Sequence, residues 1–180
     1  MKWQFVELQK YKQAAMQFEE VVDLTDPLTT TFGNEILAVE PLKVKGYAQA
    51  EQDDIIVHAH VLTTIQTPST RSGKTVTLDL DFEIDEIYIN DEAHANRYEI
   101  TDSVILIEDA VIDFDRALIE YVVLQVPLQV LAPGEEAQPM PAGEGWEVIA
   151  EEDYVEKDAE APVDTNTPLA GLADLFKDED

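Results

Sequence analysis

The residues most able to do chemistry in this sequence are its three histidines. His58 and His60 stand two positions apart, so on a strand they share one face, where His94 or a carboxylate can complete a metal site with them. Two histidines at this spacing on a solvated strand are usually incidental. We therefore predict no metal and no other cofactor.

A row of carboxylates at alternate positions is the second candidate for chemistry. The row lacks the glycine turn and the ligand spacing of a calcium-binding EF-hand loop, and a solvated strand face explains it more simply. No apolar pocket motif or paired nucleophile accompanies the acids, so we expect a protein without enzymatic activity and keep a metal-dependent hydrolase only as a remote alternative. The carboxylate row consists of Asp79, Asp81, Glu83 and Asp85.

Gly73-Lys74-Thr75 has the form of the end of a phosphate-binding P-loop. A P-loop also needs an earlier glycine, where this chain has Pro68, and a helix N-terminus that presents amides to phosphate. The residues after Thr75 alternate as a strand instead. The pattern predicts a hairpin turn and no nucleotide site.

Strands are the main elements that position these residues. The segment TVTLDLDFEIDEIYI alternates with period two, which predicts an antiparallel strand with an apolar face on a core and an acidic face in water. Before it, PLKVKGYAQAE and IIVHAHVLTTIQ flank the polar turn EQDD and predict a β-hairpin. WQFVEL predicts a first strand, and a second is expected around Met16 to Leu24.

The other segments are predicted to be less regular. The run from Thr25 to Asn34 collects Thr, Asp, Pro, Gly and Asn and is interpreted as a loop, and NDEAHANRYEITDS as a mobile polar stretch. Pro127 limits the one principal helix, which has Asp113 as its N-cap. The apolar stripe of that helix consists of Phe114, Leu118, Tyr121 and Val122.

Together these elements predict an α+β fold with a mainly antiparallel, partly curved sheet. We expect residues 1–131 to form the domain core and residues 132–180 to form an acidic, partly disordered segment that contains Pro and Gly. That segment ends in PLAGLADLF, which predicts a short helix with an apolar face. The face consists of Leu169, Leu172, Leu175 and Phe176.

The chain is strongly negative, and its charge is unevenly distributed. The net charge is −28, and residues 1–75 hold seven Lys/Arg and ten Asp/Glu, whereas residues 76–180 hold four and twenty-nine. Bare RNA or DNA should be repelled by such a chain, because affinity for phosphates comes mainly from Lys and Arg. A basic protein is the partner that this charge favours, and DNA is not expected to bind.

Composition also bears on the compartment. The sequence has no cysteine, so disulfides, thiolate metal sites and cysteine nucleophiles are excluded. Glu7 and Gln9 interrupt the first apolar residues, so we expect no signal peptide, and no window approaches the ~18 consecutive apolar residues of a membrane span. We expect a cytoplasmic protein with no membrane partner.

An ordered set of segments resembles the YceD family, bacterial proteins associated with accumulation of 23S ribosomal RNA. The segments are PLKVKGYAQAEQDDIIVHAHVLTTIQTPSTRS, the acidic strand with DEIYI, VIDFDRALIEYVVLQVPLQVL and TPLAGLADLF. The order of the segments carries the resemblance more than any one of them. It implies a part in large-subunit ribosome biogenesis.

The chain departs from that family at its cysteines. The family commonly has a Pro-Cys-x-Arg-Cys motif, and here Pro68, Ser69, Arg71 and Ser72 resemble it with both cysteines replaced by serine. A second family cysteine pair has its counterpart in PMPAGEG, again without cysteine. A zinc knuckle made by these pairs in other members cannot form here, because serine hydroxyls are poor zinc ligands.

Two binding modes remain open for this role. In the first, the acidic second half binds a basic ribosomal protein or assembly factor, and the terminal apolar face adds an anchor. In the second, the less acidic half binds rRNA directly, although we expect any rRNA contact to be indirect. The cations that would serve the second mode are Lys43, Lys45, Arg71 and Lys74.

Overall fold

The structure, a computed structural model, describes residues 1–107, 109–138 and 140–149. The strands of this part are β1 (Lys2–Gln4), β2 (Met16–Val22), β3 (Ala38–Val39), β4 (Leu42–Glu51), β5 (Asp54–Pro68), β6 (Thr75–Ile89), β7 (Val104–Leu106), β8 (Val111–Asp113), β9 (Ala142–Gly143) and β10 (Trp146–Glu147). The helices are α1 (Phe5–Leu8), α2 (Thr25–Thr31), α3 (Phe114–Leu124) and a 3₁₀ helix (Glu92–Arg97). None of these helices is long and apolar enough to cross a membrane.

The chain divides into two compact units. The first unit is Met1–Glu136, and the second begins at Ala137. Within the second, β9 and β10 form an antiparallel pair. The predicted apolar face of Leu169, Leu172, Leu175 and Phe176 lies outside the described residues.

A six-stranded sheet forms the centre of the first unit. Its strand order is β2-β4-β5-β6-β7, and β3 pairs with β5 beyond the end of β4. All of its pairs are antiparallel except β6 with β7. Strands β1 and β8 form a separate antiparallel pair. The mixed, mainly antiparallel α+β architecture predicted from the sequence is confirmed.

The longest pairing in the sheet joins β5 to β6, and we call this pair the β5–β6 ribbon. Its register runs from Ile55 opposite Tyr88 to Pro68 opposite Thr75. At about 3.4 Å per residue, each strand spans about 50 Å. The predicted alternation of β6 is confirmed, because its carboxylate row is exposed while Leu80, Phe82 and Ile84 are buried.

Helix α3 covers the apolar side of the fold with the stripe that the sequence predicts. Phe114, Leu118 and Val122 are fully buried and belong to the same core as the apolar side chains of the sheet. The ring of Phe114 also lies 5.5 Å from that of Trp3. Burial of each such side chain contributes about 1.5 to 3 kcal/mol, which explains why this helix is held although it is short.

Gly46 on β4 marks a close approach within the sheet. A Cβ at this position would lie 2.1 Å from the carbonyl oxygen of His58 and 2.8 Å from the ring of Phe18. Any side chain here would collide with backbone of the neighbouring strand, so only glycine allows β2 and β5 to pack on β4 as they do.

The run from Thr25 to Asn34 was predicted to be a loop, and this prediction is wrong for Thr25–Thr31, which forms α2. Asp23 Oδ1 accepts hydrogen bonds from the backbone N–H (3.0 Å) and hydroxyl (2.7 Å) of Thr25, and Pro27 occupies the first turn, where its missing N–H costs nothing. Leu28 is fully buried. A buried leucine and these local helix-start signals together stabilise a helix that lacks apolar periodicity.

Two further boundaries differ from the predictions. The WQFVEL segment is strand only to Gln4 and then turns into α1, whose Phe5 and Leu8 are buried. Asp113 stands at the N-cap position of α3, as predicted, but its side chain accepts no capping bond. It accepts instead from Lys2 Nζ at 2.6 Å.

Candidate functional site in the β5–β6 ribbon

The solvent face of the β5–β6 ribbon carries the histidines and the carboxylate row. His58 Nδ1 lies 2.7 Å from Asp85 Oδ1, and His60 Nε2 lies 2.6 Å from Asp81 Oδ1. Each imidazole therefore binds a different carboxylate across the strand pair. In the described part of the chain, no group of three or more His, Asp or Glu side chains is placed to hold a metal ion.

Lys43 and Lys45 lie on the same face of the sheet, on β4. The register places Lys45 opposite His60 and Lys43 opposite Leu62, and Lys45 Nζ lies 3.6 Å from Glu19. The face thus changes from basic on β4 to acidic on β6, with the two histidines between.

The other predicted cations, Arg71 and Lys74, lie in the turn between β5 and β6. Lys43 is paired with Leu62, which is six residues, or about 20 Å of strand, before Pro68. The structure does not bring the four cations into one cluster. It forms two pairs at separate places on the sheet.

Ser69 organises the turn that follows Pro68. Its hydroxyl oxygen accepts from the backbone N–H groups of Arg71 (3.1 Å) and Ser72 (3.2 Å), and its backbone N–H donates to the carbonyl of Lys74 at 2.7 Å. Gly73 has a φ of +73°, which favours glycine. Gly73 and Lys74 lie in the hairpin turn that the sequence predicts, and Thr75 begins β6.

The same serine binds a carboxylate from the segment that follows α3. The Ser69 hydroxyl donates to Glu135 Oε2 at 2.5 Å, and the backbone N–H of Ala132 donates to the same oxygen at 2.8 Å. Arg71 donates from its guanidinium to the carbonyl oxygen of Glu135. Glu135 is 1% exposed, so the cluster closes over it. We call Ser69, Ser72 and Glu135 the serine–glutamate joint.

Electrostatics show how this joint is held. The hydrogen bond from Ser69, followed by that from Ser72, lowers the pKa of Glu135 to about 2. The carboxylate is therefore ionised near neutral pH, with hydroxyl and amide donors around it. A zinc knuckle has the reverse polarity, a cation surrounded by anionic ligands. A hydroxyl that donates to a carboxylate does not suit zinc, so the residues present do not fit that metal.

A second buried carboxylate lies at the opposite end of the ribbon. Asp54, the first residue of β5, is fully buried and accepts from Tyr98 (2.8 Å) and Arg97 (3.0 Å), while His94 Nδ1 lies 2.6 Å from its other oxygen. We call these four residues the Asp54 cluster. They hold the 3₁₀ helix in the segment predicted to be a mobile polar stretch. Burial and the bond to Asp54 raise the pKa of Tyr98 to about 12.

A pocket of about 380 Å³ opens beside β6. Glu86, on the core face of β6, is 3% exposed at its wall and accepts from the hydroxyl of Tyr88. Burial raises the pKa of Glu86. Around Glu86, the pocket is lined by Glu83, Asp85, Ser103 and Tyr121, among others.

Comparison with known proteins places this geometry in a family. A family model described as large ribosomal RNA subunit accumulation protein YceD matches residues 57–176, two-thirds of the chain. The chain belongs to the YceD family. Along its whole length it is also 27% identical to the uncharacterized protein YlbN of Bacillus subtilis (strain 168), over 99% of that protein. No solved structure matches it.

The YceD match contains most of the β5–β6 ribbon and the whole serine–glutamate joint. Pro68, Ser69, Arg71 and Ser72 lie within it, whereas Lys43 and Lys45 lie before its first residue. Asp54 also precedes the match. Sequence reasoning missed Asp54, Glu86 and Glu135, because each meets its partners through the fold and none stands in a recognisable motif.

Proposed function

We propose that the protein is a non-enzymatic cytoplasmic factor that supports 23S rRNA accumulation and large-subunit assembly by binding a basic ribosomal protein or assembly factor. Membership of the YceD family implies a role in large ribosomal RNA subunit accumulation. The single observation that carries the finer proposal is the exposed carboxylate row along β6.

The carboxylate row suits a basic protein for a physical reason. Its four side chains stand at every second residue of β6. The two strands that neighbour β6 in the described sheet, β5 and β7, contain no lysine or arginine. The chain also carries a net charge of −28. Complementary charge accelerates encounter with a basic partner and makes the affinity depend on salt.

Direct binding of rRNA has less support from the same face. The cations form two separated pairs, Lys45 lies near Glu19, and Arg71 donates to the carbonyl of Glu135. Binding of RNA gains affinity by neutralising several phosphates together. Two pairs of cations on a strongly acidic chain provide little of this gain.

The proposal is tested by an affinity pull-down with the tagged full chain at low and high salt, with and without nuclease. Bound proteins are identified by mass spectrometry and bound RNA by sequencing. We expect basic large-subunit proteins or assembly factors that resist nuclease and are released by salt. A matched variant, Lys43→Glu with Lys45→Glu and Lys74→Glu, should leave this recovery intact.

Two results would contradict the proposal. Recovery of 23S precursor that disappears in the triple lysine variant would assign the function to direct RNA binding. Absence of any salt-sensitive basic protein, at low ionic strength and with folded protein, would exclude the adaptor role.

A further inference from the structure

Within the described residues, one edge of β6 has no neighbouring strand over most of its length. On one side β6 pairs with β5 from Thr75 to Tyr88, but on the other side it pairs with β7 only at Ile87–Ile89. Among the described residues, residues 75–86 form backbone hydrogen bonds with β5 and with no other element. A free edge of this length presents a ladder of backbone donors and acceptors to a further strand.

The two faces beside this edge differ in chemistry. The solvent face carries the carboxylate row, and the core face carries apolar side chains, of which Val76 and Leu78 are only half-buried. A strand added at the edge would continue both faces, because side chains alternate with period two. Its residues beside the carboxylate row would need positive charge, and those beside Val76 and Leu78 would need to be apolar.

The pocket around Glu86 lies at one end of the free stretch. Glu83 and Asp85 come from the solvent face, and Glu86 presents a buried carboxylate from the core face. Asp102 also lines the pocket, so a Lys or Arg side chain that enters from the edge would lie in a pocket lined by four carboxylates. Cross-strand pairs of opposite charge stabilise a sheet, and a buried carboxylate gains most from a cation that replaces its lost water.

We propose that the edge of β6 at residues 75–86 binds an extended segment of a basic protein, in which Lys or Arg alternates with apolar residues. The added strand hydrogen-bonds to the edge, its cations pair with the carboxylate row, and one cation enters the pocket at Glu86. This inference rests on the proposed function for the class of partner and specifies where and in what conformation the partner binds.

A second copy of this chain does not fit the edge. Pairing two β6 edges would align one carboxylate row with another, and like charges directly opposite each other destabilise a sheet. The acidic row therefore protects the edge from self-association while it leaves the edge open to a basic strand.

The test uses a synthetic peptide of about ten residues that alternates lysine and valine, titrated into the full chain at low salt. We expect binding that weakens with salt and changes the NMR signals of residues 75–86. A control peptide with the same composition but all lysines in one block has the same charge and lacks the alternation. Equal affinity for both peptides would show attraction by charge alone and would overturn the proposal.

Backbone methylation of the peptide separates strand addition from other modes of binding. An N-methyl group at every second residue blocks hydrogen bonding along one side of the peptide strand. Methylation of one set of alternate residues should therefore abolish binding, and methylation of the other set should preserve it. Equal loss or equal retention of binding by the two methylated peptides would contradict pairing at the edge.

Variants of the protein locate the site. Asp81→Lys with Glu83→Lys should weaken binding of the alternating peptide at least about tenfold, and Glu86→Gln about thirtyfold. The matched control, Glu7→Lys with Glu35→Lys, changes the net charge as much as the first variant does, at exposed positions outside β6 and the pocket. Thermal unfolding checks that each variant is folded. Equal effects of the two double variants would overturn the assignment.

Failure of this inference is distinguishable from failure of the proposed function. If basic ribosomal proteins bind the full chain and the β6 variants bind them equally well, the edge is excluded and the adaptor role stands. If the full chain binds neither those proteins nor the peptide, both are overturned.

Discussion

The β5–β6 ribbon is fixed at each end by a buried carboxylate, and the two ends differ in what surrounds that carboxylate. At one end Asp54 is bound by Arg97, His94 and Tyr98. At the other end Glu135 Oε2 accepts hydrogen bonds from the hydroxyl of Ser69 and the backbone N–H of Ala132. A cationic guanidinium thus binds the carboxylate at one end, whereas neutral hydroxyl and amide donors bind it at the other.

The comparison shows two ways to attach a loop to a long strand pair. A buried carboxylate is costly unless a cation or hydrogen-bond donors offset its lost hydration. The Asp54 cluster uses an ion pair to hold the segment after β6, whereas the serine–glutamate joint uses turn geometry to hold the segment after α3. Between these ends, the exposed His–Asp pairs of the ribbon contribute little to stability.

The largest effect is expected at the end held by charges. Asp54→Asn removes the charge that compensates Arg97, and we expect the free energy of unfolding to fall by about 2 to 3 kcal/mol in urea titrations. The value lies at the lower end for buried ion pairs because Arg97 is 37% exposed. Asp53→Asn is the matched control, since Asp53 is exposed and binds Lys12 at the surface. Equal losses in both variants would contradict the role of the cluster.

The serine–glutamate joint should be the weaker of the two ends. Ser69→Ala removes the donor to Glu135 and the acceptor for two turn amides, so the free energy of unfolding should fall by about 1.5 kcal/mol. Ser72→Ala, at an exposed position of the same turn, should have a smaller effect in the same urea titrations. A larger loss for Ser72→Ala would show that Ser69 does not organise the joint.

The contribution of the serine–glutamate joint to the free energy of unfolding should depend on pH. The pKa of Glu135 is lowered from 4.5 to about 2 in the folded protein, so its contribution is full above pH 4.5 and is lost as pH falls towards 2. The wild type should therefore exceed Glu135→Gln in stability at pH 6, and the difference should shrink below pH 4.5. Glu136→Gln, at the exposed neighbour, is the matched control in denaturant titrations across pH, and equal convergence in both variants would contradict the role of Glu135.

The smallest effect is expected in the middle of the ribbon. Asp85→Asn removes the partner of His58, but Asp85 is 72% exposed, so the loss should be about 0.5 kcal/mol or less and should vanish at high salt. Asp81→Asn should behave in the same way through His60. A loss here as large as that of Asp54→Asn would remove the distinction between the middle and the ends.

The sequence predicts the middle of the ribbon better than its ends. The alternation of Leu78, Leu80 and Phe82 with acids needs only the period of a strand, and the core of the sheet follows from it. The helix of Phe114 and Leu118 is predicted on the same basis. These features are local, so a short window of sequence contains them.

The parts that sequence reasoning missed depend on distant contacts. Asp54 meets His94 and Arg97 across 40 and 43 residues, and Ser69 meets Glu135 across 66. Neither pairing produces a periodic pattern in the sequence. Helix α2, which was also missed, does have local sequence signals, because Asp23 and Pro27 are helix-start signals that the threonine-rich composition obscured.

The serine–glutamate joint also changes what can damage this part of the molecule. The Pro-Cys-x-Arg-Cys motif that this turn resembles has thiols in place of the hydroxyls of Ser69 and Ser72, and thiols are sensitive to oxidants and to the zinc supply. Here the described contacts of the joint are made by oxygen and nitrogen atoms. Hydroxyl and carboxylate groups are not oxidised by peroxide, and the hydrogen bonds between them do not depend on a metal that a chelator could remove. The attachment of the turn to the segment after α3 is thereby uncoupled from the redox state and the zinc supply of its surroundings.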